Sequence, residues 1–308
     1  MGDFYELFFD DAIKAAKVLD IALTKRGKHN DTDIPMCGVP HHSSENYLLT
    51  LIKSGHKVAV CEQLESPAEA KKRGYKSVVK RDVVRLVTPG TLTEDSLLKA
   101  RSHNFLAAYS IVRGEHSLAW VDISTGLMSV LSLNKVEDFV AELFRLTPSE
   151  VLIIDNTDYD IIDAIEESGA TATLRGKSAF DSTSGEERLK SLFAVASLEA
   201  FGSFGRAQVS ALGSIAEYLD ATQKGKLPIL RPPVIELKEN SMRIDSATRR
   251  NLELTRSINT GSRQGSLLGT IDRTVTAAGG RLLERRISAP SMDMDLSLIH
   301  ISEPTRLG

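Results

Sequence analysis

Three sets of side chains in this sequence have types and spacings that could do chemistry. The first is Phe4 and Glu6 in Gly2-Asp3-Phe4-Tyr5-Glu6-Leu7-Phe8. An aromatic run broken by one carboxylate reads as a strand. In a strand, Phe4, Glu6 and Phe8 share one face, and Tyr5, Leu7 and Phe9 the other. One face can be core; the opposite face carries a ring beside an acid, as a solvated edge or as a contact surface. The second is Asp122 in Trp120-Val121-Asp122-Ile123-Ser124-Thr125-Gly126. It is either a turn cap before Gly126 or a metal-binding acid, and two-metal chemistry needs several carboxylates converging on ions about 3.5–4 Å apart. Asp155, Asp158 and Asp160 follow a different strand and show no diagnostic spacing. The third is a basic run, Lys71, Lys72, Arg73, Lys76, Lys80, Arg81 and Arg85, opposed only by Asp82. It reads as phosphate contacts or as a solvated loop and polar strand edge.

Other constellations fail on spacing. Gly176-Lys177-Ser178 ends like a phosphate-binding loop, but the motif needs a glycine at position 171, which is Thr171. No dinucleotide fingerprint exists. Adjacent His41 and His42 cannot both face one metal as an i, i+4 pair could, and read as loop residues. The only cysteines, Cys37 and Cys61, fit neither a zinc spacing nor a disulfide framework and read as buried thiols in a reducing compartment.

The 308 residues allow about two domains with cores of their own. Hydrophobic residues at 42% and charged residues at 26% describe an ordinary soluble globular chain. A net charge of -3 does not itself indicate a nucleic-acid binder, so the local basic run carries that question. No apolar run approaches the roughly 18 residues that span a bilayer, and no basic-then-apolar leader is present. The expected location is cytoplasmic, with nucleoid association.

The elements that must position these groups follow from periodicity. After the strand at 4–8, apolar residues recur at helical spacing from Phe9 to Leu23 behind Asp10 and Asp11. Thr24 to Asp33 reads as loop, and Ile34 to Pro40, with two prolines and a glycine, as an ordered turn. Ser43-Ser44-Glu45-Asn46 caps a helix through about Lys53, and Lys57 to Gln63 alternates as a strand. Pro67 to Gly74 is a short helix or loop. Val78-Val79 and Val83 to Val87 form a strand pair or a bent strand, closed by the turn Thr88-Pro89-Gly90-Thr91.

A second unit begins near His103. Runs at 105–112, 116–123 and 126–132 form an antiparallel meander. A helix near 136–145, a buried strand at 151–154, and helices near 159–168, 185–199 and 207–223 complete a mixed α/β domain. Leu227 to Pro233 is the clearest linker. Beyond it, Met242 to Ile258 and Ala277 to Ile287 read as arginine-rich helices whose apolar residues have few partners, so loose packing is expected. Leu296 to Arg306 looks like a translated sequencing adaptor, and residues 296–308 are expected to be a non-native tail.

Gly2-Asp3-Phe4-Tyr5-Glu6, Leu23-Thr24-Lys25-Arg26-Gly27, Pro35-Met36-Cys37-Gly38-Val39-Pro40-His41-His42, Val60-Cys61-Glu62-Gln63 and Thr88-Pro89-Gly90-Thr91 stand in the order that resembles the MutS family of DNA mismatch-recognition proteins. The resemblance returns sharply at Asp245-Ser246-Ala247-Thr248-Arg249-Arg250-Asn251-Leu252-Glu253 and covers 1–295. It implies a fold of class α/β: a small mixed α/β mismatch-binding domain at 1–91, a ribonuclease-H-like α/β connector at 92–231, and the first helices of an incomplete all-α core or lever domain at 232–295.

The family's Phe-x-Glu pair falls on Phe4 and Glu6, which implies a minor-groove wedge and a hydrogen bond to the mispaired base in kinked double-stranded DNA. Implied partners are duplexes with mismatches or small insertion/deletion loops, a second copy in the parent protein, and a downstream repair partner on the connector. The clamp and the ATPase are expected to lie outside this chain, with Met1 an internal methionine. Hence no catalytic residue, metal or cofactor is expected here, while ATP and Mg²⁺ belong to the parent. The alternative is a metal-dependent nuclease centred on Asp122, which stands on the meander where ribonuclease-H-like nucleases place a metal-binding acid.

Overall fold

The computed structural model describes residues 3–74, 77–92, 100–225, 227–237 and 241–294. The chain divides into two compact units, Met1–Leu98 with Leu219–Leu227, and Lys99–Tyr218 with Pro228–Gly308. Among the described residues no helix is long and apolar enough to cross a membrane.

The first unit opens with strand β1 (Phe4–Phe8), which runs directly into helix α1 (Phe9–Leu19). Asp10 and Asp11 sit in the first turn of α1, where they oppose the macrodipole, and left-handed Asp20 ends it short of Leu23. Two strands follow where a loop and a turn are expected: β2 (Thr24–His29) and β3 (Thr32–Pro40). Their link is Asn30-Asp31, with φ of 49° and 60°. These residue types tolerate the left-handed region that a two-residue hairpin demands. Pro35 is compatible with the central strand because β1 ends opposite Met36, and Pro35 itself pairs with Lys25 beside a bulge in β2. The sheet order is β1-β3-β2.

Helix α2 (Ser44–Lys53), strand β4 (Val58–Gln63), helix α3 (Pro67–Lys72) and strand β5 (Arg81–Val87) complete the unit. A reciprocal capping box between Ser66 and Glu69 starts α3. β4 and β5 pair antiparallel, whereas Val78 and Val79 lie outside any strand. Ala12, Ala15, Ala16, Cys37 and Leu51 form one core cluster, and Ile52, Val87 and Leu92 another. Cys37 is buried as expected, but Cys61 is exposed, because it falls on the outward phase of β4.

The second unit is built on the meander β6 (Phe105–Val112), β7 (Glu115–Asp122) and β8 (Leu127–Leu133). It continues with α4 (Val136–Leu146), β9 (Glu150–Ile154), α5 (Tyr159–Glu167) and β10 (Thr171–Arg175), a strand the periodicity does not reveal. α6 (Ser182–Phe193) starts earlier than expected, at an Asp181 cap accepting from Ser184, and α7 (Arg206–Gln223) follows. β11 (Val234–Ile235) then adds an edge strand just beyond the proline-rich linker. The sheet order is β10-β9-β6-β7-β8-β11. Tyr109, Leu118, Trp120, Phe139, Leu143, Val151, Ile153 and Ile165 make its main core. On α7, Ser210 accepts from Ser110 of β6 at 2.7 Å and donates to the Phe180 carbonyl at 2.6 Å.

The carboxy-terminal helices are α8 (Ser246–Asn251), α9 (Leu267–Ile271) and α10 (Ala277–Ser288). The long helix expected over 242–258 is confined to α8. Glu253 adopts φ 47°, and its carboxylate accepts from the Ile258 N–H at 2.6 Å, closing a loop where a further helical turn would run. Partners exist for part of this region. Arg250 lies over the Phe144 ring of α4 at 5.6 Å, and Leu254 and Leu268 are buried. Leu252, Ile258 and Leu282 stay exposed. Residues 296–308, the expected non-native tail, lie outside the described residues.

Candidate nucleic-acid interface

The alternation of β1 separates an anchoring face from a presenting face. Tyr5 pairs with Val39 and Leu7 with Cys37 across β3. Leu7 packs on the Ala12, Ala15, Ala16, Cys37 and Leu51 cluster. Tyr5 stacks on His41 with ring centroids 5.3 Å apart, and its hydroxyl donates to the Glu62 carboxylate of β4. Burial, then the hydrogen bond and charge of Glu62, push the Tyr5 hydroxyl pKa up to about 12. Asp3 is held as well: its carbonyl accepts from the His41 N–H at 2.7 Å.

The other face presents Phe4, 54% exposed, with half-buried Glu6 and exposed Phe8. Glu6 lies opposite Gly38, and a Cβ built there would sit 3.6 Å from Phe4 Cδ1. Thus the Phe4 ring leans over the one position of β3 that lacks a side chain. An additional residue enters from β2: the Arg26 guanidinium donates to Glu6. Arg26 belongs to a motif the sequence displays, but nothing in the linear pattern couples residue 26 to residue 6.

The basic run does not form one uniform set. Lys71 and Lys72 are exposed on the last turn of α3, and Lys80 and Arg81 are exposed at the start of β5. Arg73 is committed to Glu65, which also accepts from the Lys80 backbone N–H at 2.7 Å. Arg85 is half-buried opposite Val60, and its charge acts on Tyr5. Lys76 lies outside the described residues.

Asp122 is fully buried at the end of β7. His103 Nδ1 lies 2.5 Å from one carboxylate oxygen, and the Ser124 N–H and hydroxyl donate to the other at 3.0 and 2.6 Å. Its backbone carbonyl accepts from Gly126 at 2.8 Å. Burial alone would raise the carboxyl pKa, but His103 and Ser124 outweigh it and hold the group below the ordinary carboxylate value. This is a capped turn. Among the described residues, no group of three or more His, Cys, Asp and Glu side chains could hold a metal ion.

Nor does the one loop ending in Gly-Lys-Ser fit a nucleotide. Gly176 has an ordinary φ of -64°, and Lys177–Phe180 is a four-residue 3-10 helix. A phosphate cradle needs convergent backbone N–H groups at the start of a true helix.

Family models match in series along the chain: MutS domain I over residues 1–96, MutS domain II over 104–231 and MutS domain III over 247–296. The DNA mismatch repair protein MutS of Ruegeria sp. (strain TM1040) is 60% identical over 297 residues, which covers 96% of this chain and 34% of that protein. The protein of the same name from Dinoroseobacter shibae is 61% identical over 296 residues, covering 96% and 33%. That from Cereibacter sphaeroides (strain ATCC 17023) is 59% identical over 300 residues, covering 97% and 34%. The chain therefore spans about a third of the length of the curated relatives it matches. Among solved structures, T. thermophilus RuvC in complex with Holliday junction substrate overlays 41% of this chain and 99% of its own at 13% identity, with a TM-score of only 0.28. With three consecutive domain matches and about 60% identity along nearly its whole length, the chain belongs to the MutS family.

Proposed function

We propose that the chain recognises mispaired or looped-out positions in duplex DNA and thereby serves mismatch repair, with Phe4 as a minor-groove wedge and Glu6 as a checking carboxylate. The observation that carries this reading is Phe4 itself: an exposed ring on a strand whose opposite face is anchored by Tyr5 and Leu7. A wedge must unstack a base step at a cost of a few kcal/mol, which is lowest where pairing is already defective. A defective step is also easier to kink, so bending adds discrimination without base-specific contacts. Glu6 accepts a hydrogen bond from an exposed base N–H, which an intact duplex does not offer because its base N–H groups are already paired.

Within this reading, residues 1–91 bind the mismatch, 92–231 connect and can present a surface to a downstream repair partner, and 232–295 begin a core or lever domain. The exposed cations Lys71, Lys72, Lys80 and Arg81 hold the DNA backbone. Dimerisation, ATP and Mg²⁺ belong to the activity of the longer relatives, and no hydrolytic step is assigned to these 308 residues.

The test is binding of the chain to matched and G·T-mismatched duplexes by fluorescence anisotropy. Weak, salt-sensitive binding with a preference for the mismatch, lost in Phe4→Ala, supports the wedge. A preference that survives Phe4→Ala sinks it.

A further inference from the structure

We propose that Arg26 is a positioning and specificity-determining residue, which holds and neutralises the Glu6 carboxylate so that the Phe4 surface meets DNA with no net charge of its own. The inference rests on the mismatch-binding reading above.

Sheet order makes the Arg26–Glu6 pair a designed feature of this face. β3 lies between β1 and β2, so the strands that carry the two residues stand two ladder spacings apart, about 9.6 Å. Long side chains from the outer strands can meet only by crossing the middle strand. They meet obliquely over it, since Glu6 lies opposite Gly38 whereas Arg26 follows Lys25, which pairs with Pro35. β2 is also irregular at this point: its register shifts between Lys25 and Lys28, and Gly27 adopts φ +74°. A bulge of this kind re-aims the side chain beside it. Here it accompanies Arg26 on the presenting face, where its guanidinium donates to Glu6. The side chains are 41% and 24% exposed, so the pair is accessible to a ligand lying across the sheet.

The functional consequence is electrostatic. A lone carboxylate on a surface that approaches phosphates repels every duplex, matched or not. Paired with Arg26, Glu6 keeps its acceptor oxygens without that general penalty, so its hydrogen bond to an exposed base discriminates without lowering overall affinity.

The test uses the full 308-residue chain and the slope of log K against log salt on matched duplex. Removing one favourable charge from the footprint lowers the slope by about 0.9. Arg26→Ala exposes the Glu6 charge and is expected to lower the slope by about that amount and weaken binding roughly tenfold, while Glu6→Ala raises the slope by a similar amount. The double variant returns to the original slope, and Arg26→Lys stays near it, since an ammonium also neutralises the carboxylate. A double variant that keeps the Arg26→Ala slope makes Arg26 a phosphate ligand and overturns the proposal. An Arg26→Ala slope equal to the starting one leaves the pair structural and overturns it as well. Phe4→Ala in the same assay separates the two readings: survival of mismatch preference there removes the wedge, whereas the charge pattern is read on matched DNA.

Discussion

Tyr5 donates its hydroxyl hydrogen to Glu62, 57 residues away, and so ties the strand that carries Phe4 and Glu6 to β4. The bond lies on the face opposite the presented ring. Together with the stack on His41, it braces one face of β1, an edge strand of its sheet. A wedge that pushes into stacked bases must be backed in this way, because a yielding strand would move before the base step did.

Tyr5→Phe is expected to lower stability by about 1 kcal/mol, the net value of one hydrogen bond. It also changes the alkaline limb. The hydroxyl is raised from 10.0 to about 12 in the folded chain. Its contribution is thus fully present below the unfolded value and is lost as pH rises through about 12. Urea melts from pH 8 upward should show a shallower alkaline loss in Tyr5→Phe; Tyr109, also raised to about 12, supplies a constant background.

Lys80→Ala and Arg81→Ala should each lower the salt slope of DNA binding by about 0.9, as expected for a released phosphate contact. Arg73→Ala should leave that slope unchanged, because its guanidinium is already bound to Glu65. Equal effects of all three substitutions would contradict this division.

Gly213→Ala should destabilise the second unit by roughly 1–3 kcal/mol. A Cβ there would stand 2.4 Å from the Gly185 Cα, so the backbones of α6 and α7 would have to part. At Gly176 nothing lies within 4 Å of an added Cβ, and Gly176→Ala should be close to neutral in the same thermal melts.

Asp122→Asn should lower stability by about 2 kcal/mol, since hydrogen bonds to a charged acceptor are the stronger kind. With its folded pKa held below 3.8, the carboxylate stabilises above that value and ceases to do so as pH falls through the depressed one. The variant should therefore lack part of the acid limb. Labelled DNA incubated with Mg²⁺ or Mn²⁺ should remain uncut by the parent chain; cutting abolished in Asp122→Asn would restore the nuclease reading.

Legibility followed the range of the forces involved. The meander was visible because three β-like runs follow one another and their turns are marked by Arg113-Gly114 and Gly126. The hairpin of β2 and β3 was hidden although Asn30-Asp31 is a suitable turn, because β2 is exposed throughout and carries no apolar alternation. β3 was masked by Pro35 and Pro40, whose cost depends on which neighbours a strand has. Likewise Met242 to Ile258 has helical composition, but Glu253 captures the Ile258 N–H and diverts the chain.

By itself, the sequence determined what depends on neighbours a few residues apart: the two faces of β1, the runs and turns of the meander, and the motifs that mark the family. Tertiary structure alone decided which face of β1 is braced, that Arg26 of β2 reaches Glu6 over the middle strand β3, and that Arg73 is committed to Glu65. The physical reason is that ion pairs and hydrogen bonds between distant residues exist only once burial of the apolar clusters has set strand order and register. No local propensity carries that information.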